Sequence, residues 1–148
     1  MDFSLITVLV VDDNPELLSI LAEGLELAGP FHVLTAQDGL QGLELCLQHR
    51  PDCLVIDVKM PQINGYQLVR LLRGDPQTAQ IPLILLTALA QDYERSVGLS
   101  AGTDRYLIKP VTPRELAKVV REVVALSHQE RQKRFQHLVE VEGEQLDE

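Results

Sequence analysis

The sequence predicts an α/β protein in which five parallel strands form one sheet and helices cover both of its faces. Five short runs rich in valine, isoleucine and leucine have the length of strands buried in a parallel sheet. Between these runs, leucine and valine recur every three or four positions, which is typical of helices that pack on one side. This regular alternation predicts right-handed crossovers and a parallel sheet.

The composition is that of an ordinary soluble domain. The chain has 148 residues, of which 45% are hydrophobic and 24% charged, so it can bury a core of its own. No apolar run approaches the roughly 18 residues of a membrane span, and the first residues lack the basic start of a signal peptide. Cys46 and Cys53 lie in apolar surroundings, which indicates free thiols in a reducing compartment. The formal charge of −9 disfavours phosphate contacts, so we expect no direct binding to nucleic acid. Together with the missing span and signal peptide, the thiols predict a cytoplasmic protein that binds no membrane.

The first half of the chain contains three predicted strands and two helices. The first strand runs from Ile6 to Val11, and the helix after it begins at Asn14-Pro15-Glu16, a capping residue followed by a proline and an acid that suit a first turn. Gly29-Pro30 ends this helix. The next elements are a strand at Phe31–Ala36, a helix between Asp38-Gly39 and Arg50-Pro51, and a strand over Cys53–Ile56.

The second half repeats the alternation after a loop from Met60 to Gly65. A third helix ends at Gly74-Asp75-Pro76, and the fourth strand, Ile81 to Leu86, carries its proline near the start, where a missing donor is tolerated. The last helix begins at a capping box, Thr112-Pro113-Arg114-Glu115. Between the fourth strand and the last helix we predict a weakly apolar helix over Asp92–Leu99 and a fifth strand over Tyr106–Ile108.

Four of the five strands end in polar side chains, namely Asp12-Asp13, Asp57, Thr87 and Lys109. In a parallel sheet all carboxyl ends lie along one edge, so we expect these side chains to be neighbours. Two carboxylates about 4 Å apart repel by about 4 kcal/mol at an effective dielectric near 20, and a divalent cation removes that penalty. Mg²⁺ suits this oxygen-rich set, whereas transition metals are disfavoured because no histidine or cysteine ends a strand.

Carboxylates, a hydroxyl and an ammonium around Mg²⁺ are the groups that phosphoryl transfer requires, and an aspartate can itself be the nucleophile. Taken singly, each residue also has an ordinary structural role. Asp12 or Asp13 can cap a helix, Asp57 can end a strand, Thr87 can satisfy a backbone group, and Lys109 can be a solvated charge. The convergence of all four strand ends favours the functional interpretation.

The sequence resembles the receiver domains of two-component response regulators over about residues 5 to 126. The matching motifs are Val-Leu-Val-Val-Asp12-Asp13, Asp57-Val-Lys-Met60-Pro61 followed by Gly65, Leu-Thr87-Ala88, Ala101-Gly102 and Lys109-Pro110. Their combined spacing is far more specific than any single motif. The resemblance implies a flavodoxin-like, doubly wound fold with five βα units and the strand order 2-1-3-4-5, an order for which such proteins are a standard example.

The resemblance also implies a role for each site residue. Asp57 is expected to be the phosphoacceptor, taking a phosphoryl group from a phosphohistidine on a sensor histidine kinase or a histidine phosphotransfer protein. Asp12 and Asp13 are expected to hold Mg²⁺ together with Asp57 and the backbone carbonyl of Lys59. Thr87 and Lys109 are expected to bind the phosphoryl oxygens.

Lys109 and Pro110 match the family's lysine and its cis peptide bond. On phosphorylation Thr87 would move toward the phosphate and Tyr106 would turn inward, which changes the surface formed by the fourth helix, fifth strand and fifth helix. Tyr106 can alternatively be a half-buried strand residue without a switching role. Val111 departs from the aromatic residue that many relatives carry, and the Lys59 side chain and Leu89 occupy positions that tune phosphoryl lifetime in the family.

We expect two regions, a receiver domain at residues 1–126 and an extension at residues 127–148. The extension has no glycine or proline before Gly143, and Phe135, Leu138 and Val139 would share one face of a helix. It is expected to be helical or partly disordered, with homodimerisation or partner docking as its sharper interpretation.

The overall expectation is a signalling switch that catalyses only its own phosphorylation and dephosphorylation. One alternative is a receiver-like interaction module that associates through its tail regardless of phosphorylation. Another is a Mg²⁺-dependent phosphohydrolase, which is disfavoured because no separate acid or base stands at a strand end.

Overall fold

The computed structural model describes residues 5–88 and 102–126. The elements in this part of the chain are β1 (Ile6–Val11), α1 (Pro15–Ala28), β2 (Phe31–Ala36), α2 (Gly39–His49), β3 (Cys53–Asp57), α3 (Gly65–Gly74), β4 (Leu83–Thr87), β5 (Arg105–Ile108) and α4 (Pro113–Ala125). Helix α4 is the fifth helix of the sequence prediction. The helix predicted over Asp92–Leu99, the residues Leu89 and Ala101, and the extension 127–148 lie outside the described residues.

The five strands form one parallel sheet in the order β2-β1-β3-β4-β5, which confirms the predicted fold class and strand order. Val11 pairs with Ile56, and Asp57 pairs with Leu86, so the carboxyl ends of β1, β3 and β4 are level. The strand order reverses direction between β1 and β3, because β2 lies on one side of β1 and all later strands lie on the other. Ligand sites in open α/β sheets form at such a switch point.

Two apolar layers enclose the sheet. The central strands β3 and β4 are buried along their whole length, which explains why their sequences are continuous apolar runs rather than alternating ones. Alternate strand residues pack on α1 and α4 on one face, including Val8, Val10, Val55, Ile84 and Leu86. The others pack on α2 and α3 on the opposite face, including Leu9, Val11, Leu54, Ile56 and Leu85.

The predicted helix caps are present. Asn14 Oδ1 accepts hydrogen bonds from the backbone N–H groups of Glu16 and Leu17 at 3.0 and 3.3 Å, so Asn14 rather than Asp12 or Asp13 caps α1. Asp38 caps α2, and both halves of the capping box at Thr112 and Glu115 form at the start of α4. Neither residue of the acidic pair after β1 is therefore used as the cap of α1.

Strand β4 begins two residues later than predicted and includes Thr87. Pro82 has no N–H to donate, although its carbonyl accepts the Leu54 N–H at 2.9 Å, and the carbonyl of Ile81 accepts a 2.6 Å hydrogen bond from Arg73 Nη1. At the other end, the Thr87 carbonyl accepts from the Lys109 N–H at 2.6 Å and extends the pairing with β5. The proline and the contact with Arg73 therefore set the start of β4, and the pairing with β5 sets its end.

Both cysteines are free and buried, as predicted. Burial raises the pKa of the Cys46 thiol to about 11, although the nearby charge of Arg73 acts in the opposite direction. The thiol is therefore protonated near neutral pH. In the described part of the chain, no helix combines the length and hydrophobicity that a membrane crossing requires.

Candidate functional site

Three carboxylates meet at the edge of the sheet where β1 and β3 end. One oxygen from each of Asp12, Asp13 and Asp57 lies within 4.8 Å of the others. Asp12 and Asp57 are only 1% and 6% exposed, whereas Asp13 faces solvent. Their positions follow from the parallel pairing of the two strands. The structure therefore brings together the acidic residues that the sequence placed at separate strand ends.

Lys109 joins this cluster from the far side of β4. Its Nζ lies 3.0 Å from Asp57 Oδ1 and 3.1 Å from Asp12 Oδ2. The residue directly follows β5, so its side chain must extend past the end of β4 to reach β3. Lys109 is thus a member of the site and not a solvated charge beside a turn.

Burial raises the pKa of Asp57, and the charges of Asp12 and Asp13 act in the same direction. The hydrogen bond and charge of Lys109 oppose this effect without cancelling it. For Lys109, burial lowers the pKa, but contacts with Asp57 and Asp12 outweigh burial and raise it overall. Lys109 is therefore a fixed positive charge near neutral pH, next to an aspartate whose ionised form is costly to bury.

The donor set fits Mg²⁺. It consists of carboxylate oxygens, and Mg²⁺ binds oxygen at about 2.0–2.1 Å, so ligands on opposite sides of the ion are about 4.2 Å apart. Oxygens within 4.8 Å of one another need only a small adjustment to reach that spacing. Both oxygens of Asp12 already accept hydrogen bonds, from the Asn14 N–H and from Lys109. Solvent-facing Asp13 is consequently the more accessible ligand of the pair.

The other residues predicted for the site are Thr87, Lys59 and Tyr106, and they differ in burial and position. Thr87 is buried at the end of β4, where it pairs with Ile108 and directly follows Leu86, the partner of Asp57. Lys59 has an exposed side chain and lines a cleft of about 510 Å³ together with Asp13. Tyr106 is half-buried in β5, as either interpretation of it requires. The roles of these residues stay predictions.

The peptide bond between Lys109 and Pro110 is cis, as the family resemblance predicted. Val111, which follows it, is half-buried. It lines an apolar cavity of about 360 Å³ with Leu17, Leu21 and Pro110.

Two contributors to the site escaped the sequence analysis. Gly65 entered it only as a motif match, yet a Cβ there would lie 2.6 Å from the Asp57 carbonyl oxygen and 2.9 Å from Val58 Cα. Its N–H donates to the Val58 carbonyl at 2.9 Å, so α3 begins directly against the backbone of Asp57. Tyr66, the next residue, lines the 510 Å³ cleft. Its place immediately after the motif glycine was the available signal.

Comparison with known proteins agrees with this geometry. The family model of the response regulator receiver domain matches residues 8–121. The transcriptional regulatory protein CpxR of Escherichia coli is 45% identical over 121 residues, which are 82% of this chain and 50% of CpxR. The chain therefore spans about half the length of the curated relatives it matches.

Solved structures show the same likeness. A chemotaxis response regulator of Vibrio cholerae aligns with a TM-score of 0.74 and 29% identity, covering 81% of this chain and 99% of the other. The receiver domain of a sensor histidine kinase from Pseudomonas aeruginosa, solved with a magnesium ion coordinated in the active site cleft, aligns with a TM-score of 0.75 and 28% identity over 83% of this chain and 100% of that domain. The chain belongs to the family of response regulator receiver domains of two-component systems.

Proposed function

We propose that this receiver domain is a phosphorylation-controlled switch in which Asp57 accepts the phosphoryl group. The observation that carries the proposal is the contact between Asp57 and Lys109 Nζ at 3.0 Å within a cluster of three carboxylates. Asp12, Asp13, Asp57 and the backbone carbonyl of Lys59 would hold Mg²⁺. The bound ion would neutralise charge that develops on the phosphoryl oxygens.

The transfer follows from the chemistry of the side chains. An Asp57 oxygen attacks the phosphorus of the donor, a new O–P bond forms, and the bond between phosphorus and the leaving atom breaks. With a phosphohistidine donor, the electron pair leaves on the imidazole nitrogen. Lys109 lies close enough to Asp57 to neutralise a phosphoryl oxygen, and Thr87 would donate its hydroxyl to another.

We infer the partners from the family. The donor would be a sensor histidine kinase or a histidine phosphotransfer protein. Phosphorylation would switch the surface formed by the predicted fourth helix, β5 and α4, which includes Tyr106. Because CpxR is a transcriptional regulatory protein, transcription control is the output we propose for a longer protein that contains this domain. For this acidic chain itself we propose no direct contact with nucleic acid and a cytoplasmic location, with homodimerisation as one form of output.

Mass spectrometry after incubation with Mg²⁺ and acetyl phosphate tests the proposal. We expect one added phosphoryl group per chain, lost when Asp57→Asn removes the nucleophile and when EDTA removes the metal. Lys109→Met should reduce the rate of mass gain by at least tenfold, because the positive charge beside the acceptor disappears.

Asp38→Asn is the matched control. It makes the same chemical change at the cap of α2, where an asparagine oxygen can still accept the Gln41 N–H. This variant should gain mass like the wild type. Equal mass gain in Asp57→Asn, or none in the wild type, would refute the assignment of Asp57.

A further inference from the structure

Tyr66 lies between the cleft beside the carboxylates and the fifth strand. It stands in the first turn of α3 and lines the 510 Å³ cleft with Asp13, Lys59 and Asn64. Its hydroxyl is 3.3 Å from the hydroxyl of Tyr106 in β5. Both rings are half-buried and pack on the same apolar layer. One side chain thus contacts both the entrance of the site and the strand that carries Lys109 toward it.

These contacts close a ring that begins and ends at Asp57. On one side, Asp57 bonds Lys109, which directly follows the strand that carries Tyr106. On the other side, Asp57 precedes Val58, whose carbonyl accepts the Gly65 N–H at 2.9 Å. The residue after Gly65 is Tyr66, and the two hydroxyls complete the circuit. Asp57 is therefore connected to the tyrosine pair by two routes.

The hydrogen bond between the hydroxyls of Tyr66 and Tyr106 is weak enough to be exchanged for another partner. A strong O–H···O hydrogen bond has an oxygen–oxygen distance of about 2.7–2.8 Å, so 3.3 Å marks a weak bond. Packing holds the two rings, and the weak hydrogen bond between their hydroxyls is one that a change of partner can replace. A phosphoryl group on Asp57 would compete for Lys109 and so pull on the end of β5.

We propose that Tyr66 is a positioning residue that couples occupancy of the cleft beside Asp57 to the position of Tyr106. It acts through the Tyr106 hydroxyl and does not contact the phosphoryl group. The proposal rests on the function proposed above, since it concerns regulation of the same site.

Tyr66→Phe removes the hydroxyl and keeps the ring. The full chain is labelled with carbon-13 tyrosine, and Mg²⁺ with beryllofluoride is titrated in as a stable stand-in for the phosphoryl group. In the wild type we expect the Tyr106 ring signal, assigned with Tyr106→Phe, to shift on binding. In Tyr66→Phe we expect that shift to fall by at least half and the half-saturating concentration of beryllofluoride to change at least twofold.

Tyr106→Phe and the double variant complete the cycle. Removing either hydroxyl should change beryllofluoride binding similarly, and removing both should change it no further. Ser19→Ala, which deletes a hydroxyl from the exposed face of α1, should behave like the wild type.

Mass gain from acetyl phosphate, measured on the same samples, separates the possible failures. Normal mass gain with an unchanged Tyr106 shift in Tyr66→Phe, or effects that simply add in the double variant, would overturn the coupling alone. Absence of mass gain in the wild type would overturn the proposed function together with it.

Discussion

Asp57 is held in the folded chain against an electrostatic cost. It is 6% exposed, and two further carboxylates lie within reach, while Lys109 offsets only part of the repulsion. The raised pKa of its carboxyl group means that the ionised form is less favourable in the folded state than in the unfolded state. A group that costs stability in this way is typical of sites selected for chemistry.

We therefore expect Asp57→Asn to stabilise the protein at neutral pH when no metal is bound. The folded-state pKa lies above the unfolded value, so the destabilisation by ionisation is complete above the folded pKa and shrinks to nothing as the pH falls from there to the unfolded value near 3.8. Urea unfolding at pH 7 without Mg²⁺ should show a higher midpoint for the variant, and the difference should shrink as the pH falls through the folded-state pKa toward the unfolded value.

Added Mg²⁺ distinguishes this effect from a general change in packing. The ion should raise the unfolding midpoint of the wild type more than that of Asp57→Asn, because the variant has lost a charged ligand. Asp38→Asn should show no gain in stability at any pH. A variant less stable than the wild type in the absence of metal would contradict the electrostatic account.

At the level of secondary structure, a glycine in α1 allows helices α1 and α4 to approach closely. Gly24 lies in the middle of α1, where alanine would be better by about 1 kcal/mol on intrinsic propensity. A Cβ at this position would, however, lie 2.3 Å from both Cβ and Cγ of Pro113, at the start of α4. The glycine is thus explained by the packing of α1 on α4 and not by the local conformation of the helix.

Gly24→Ala should destabilise the protein even though it improves the helix. Overpacking costs about 1–3 kcal/mol in a well-packed interior, which exceeds the gain in propensity. We expect a net loss of about 1 kcal/mol in the free energy of unfolding, measured by urea denaturation.

Gly74→Ala is the matched substitution, since a Cβ added there at the end of α3 meets no described atom within 4 Å outside its chain neighbours and its own helix backbone. It should raise stability by up to about 1 kcal/mol. If both alanine variants are stabilised to the same extent, the close contact with Pro113 does not determine the effect.

At the scale of the molecule, two apolar layers cover the two faces of the sheet. Both are formed by residues within the described ranges 5–88 and 102–126. Arg73 adds a polar connection between distant segments. Its guanidinium donates to the carbonyls of Ala79, Ile81 and Gly102 at 2.6–2.9 Å and pairs with Asp104 at 3.1 Å. The end of α3 is thereby fixed to the turn that leads into β5.

We propose that the domain ends at residue 126 and expect removal of residues 127–148 to leave it folded. The free energy of unfolding should change by less than about 1 kcal/mol, a change typical of substitutions remote from a core. The shortened chain should gain the same phosphoryl mass. An unfolded or unreactive truncated chain would show that the extension belongs to the domain.

Sedimentation of both forms, with and without phosphorylation, tests the tail-mediated alternative. Association that requires the extension and ignores phosphorylation would favour it. Association that follows phosphorylation in both forms would favour output from the surface around β5 and α4.

The sequence by itself determined the order of elements and the members of the carboxylate cluster. Apolar runs and helical periodicity are local signals, and parallel strands bring their carboxyl ends to one edge whatever the details of packing. For this reason Asp12, Asp57, Thr87 and Lys109 were placed correctly at the level of the sheet. The helix cap at Asn14 could be predicted from the sequence as well, because it depends only on neighbouring residues.

Only the tertiary structure decided the contacts between side chains on different elements. Examples are the Gly24–Pro113 approach, the hydrogen bonds of Arg73 to the segments around Ala79 and Gly102, and the tyrosine pair at positions 66 and 106. Each joins residues that no sequence period relates, and each depends on how far a helix lies from its neighbour and which rotamer its side chain adopts. Such distances are set by the packing of the whole core, so a local pattern has no means of encoding them.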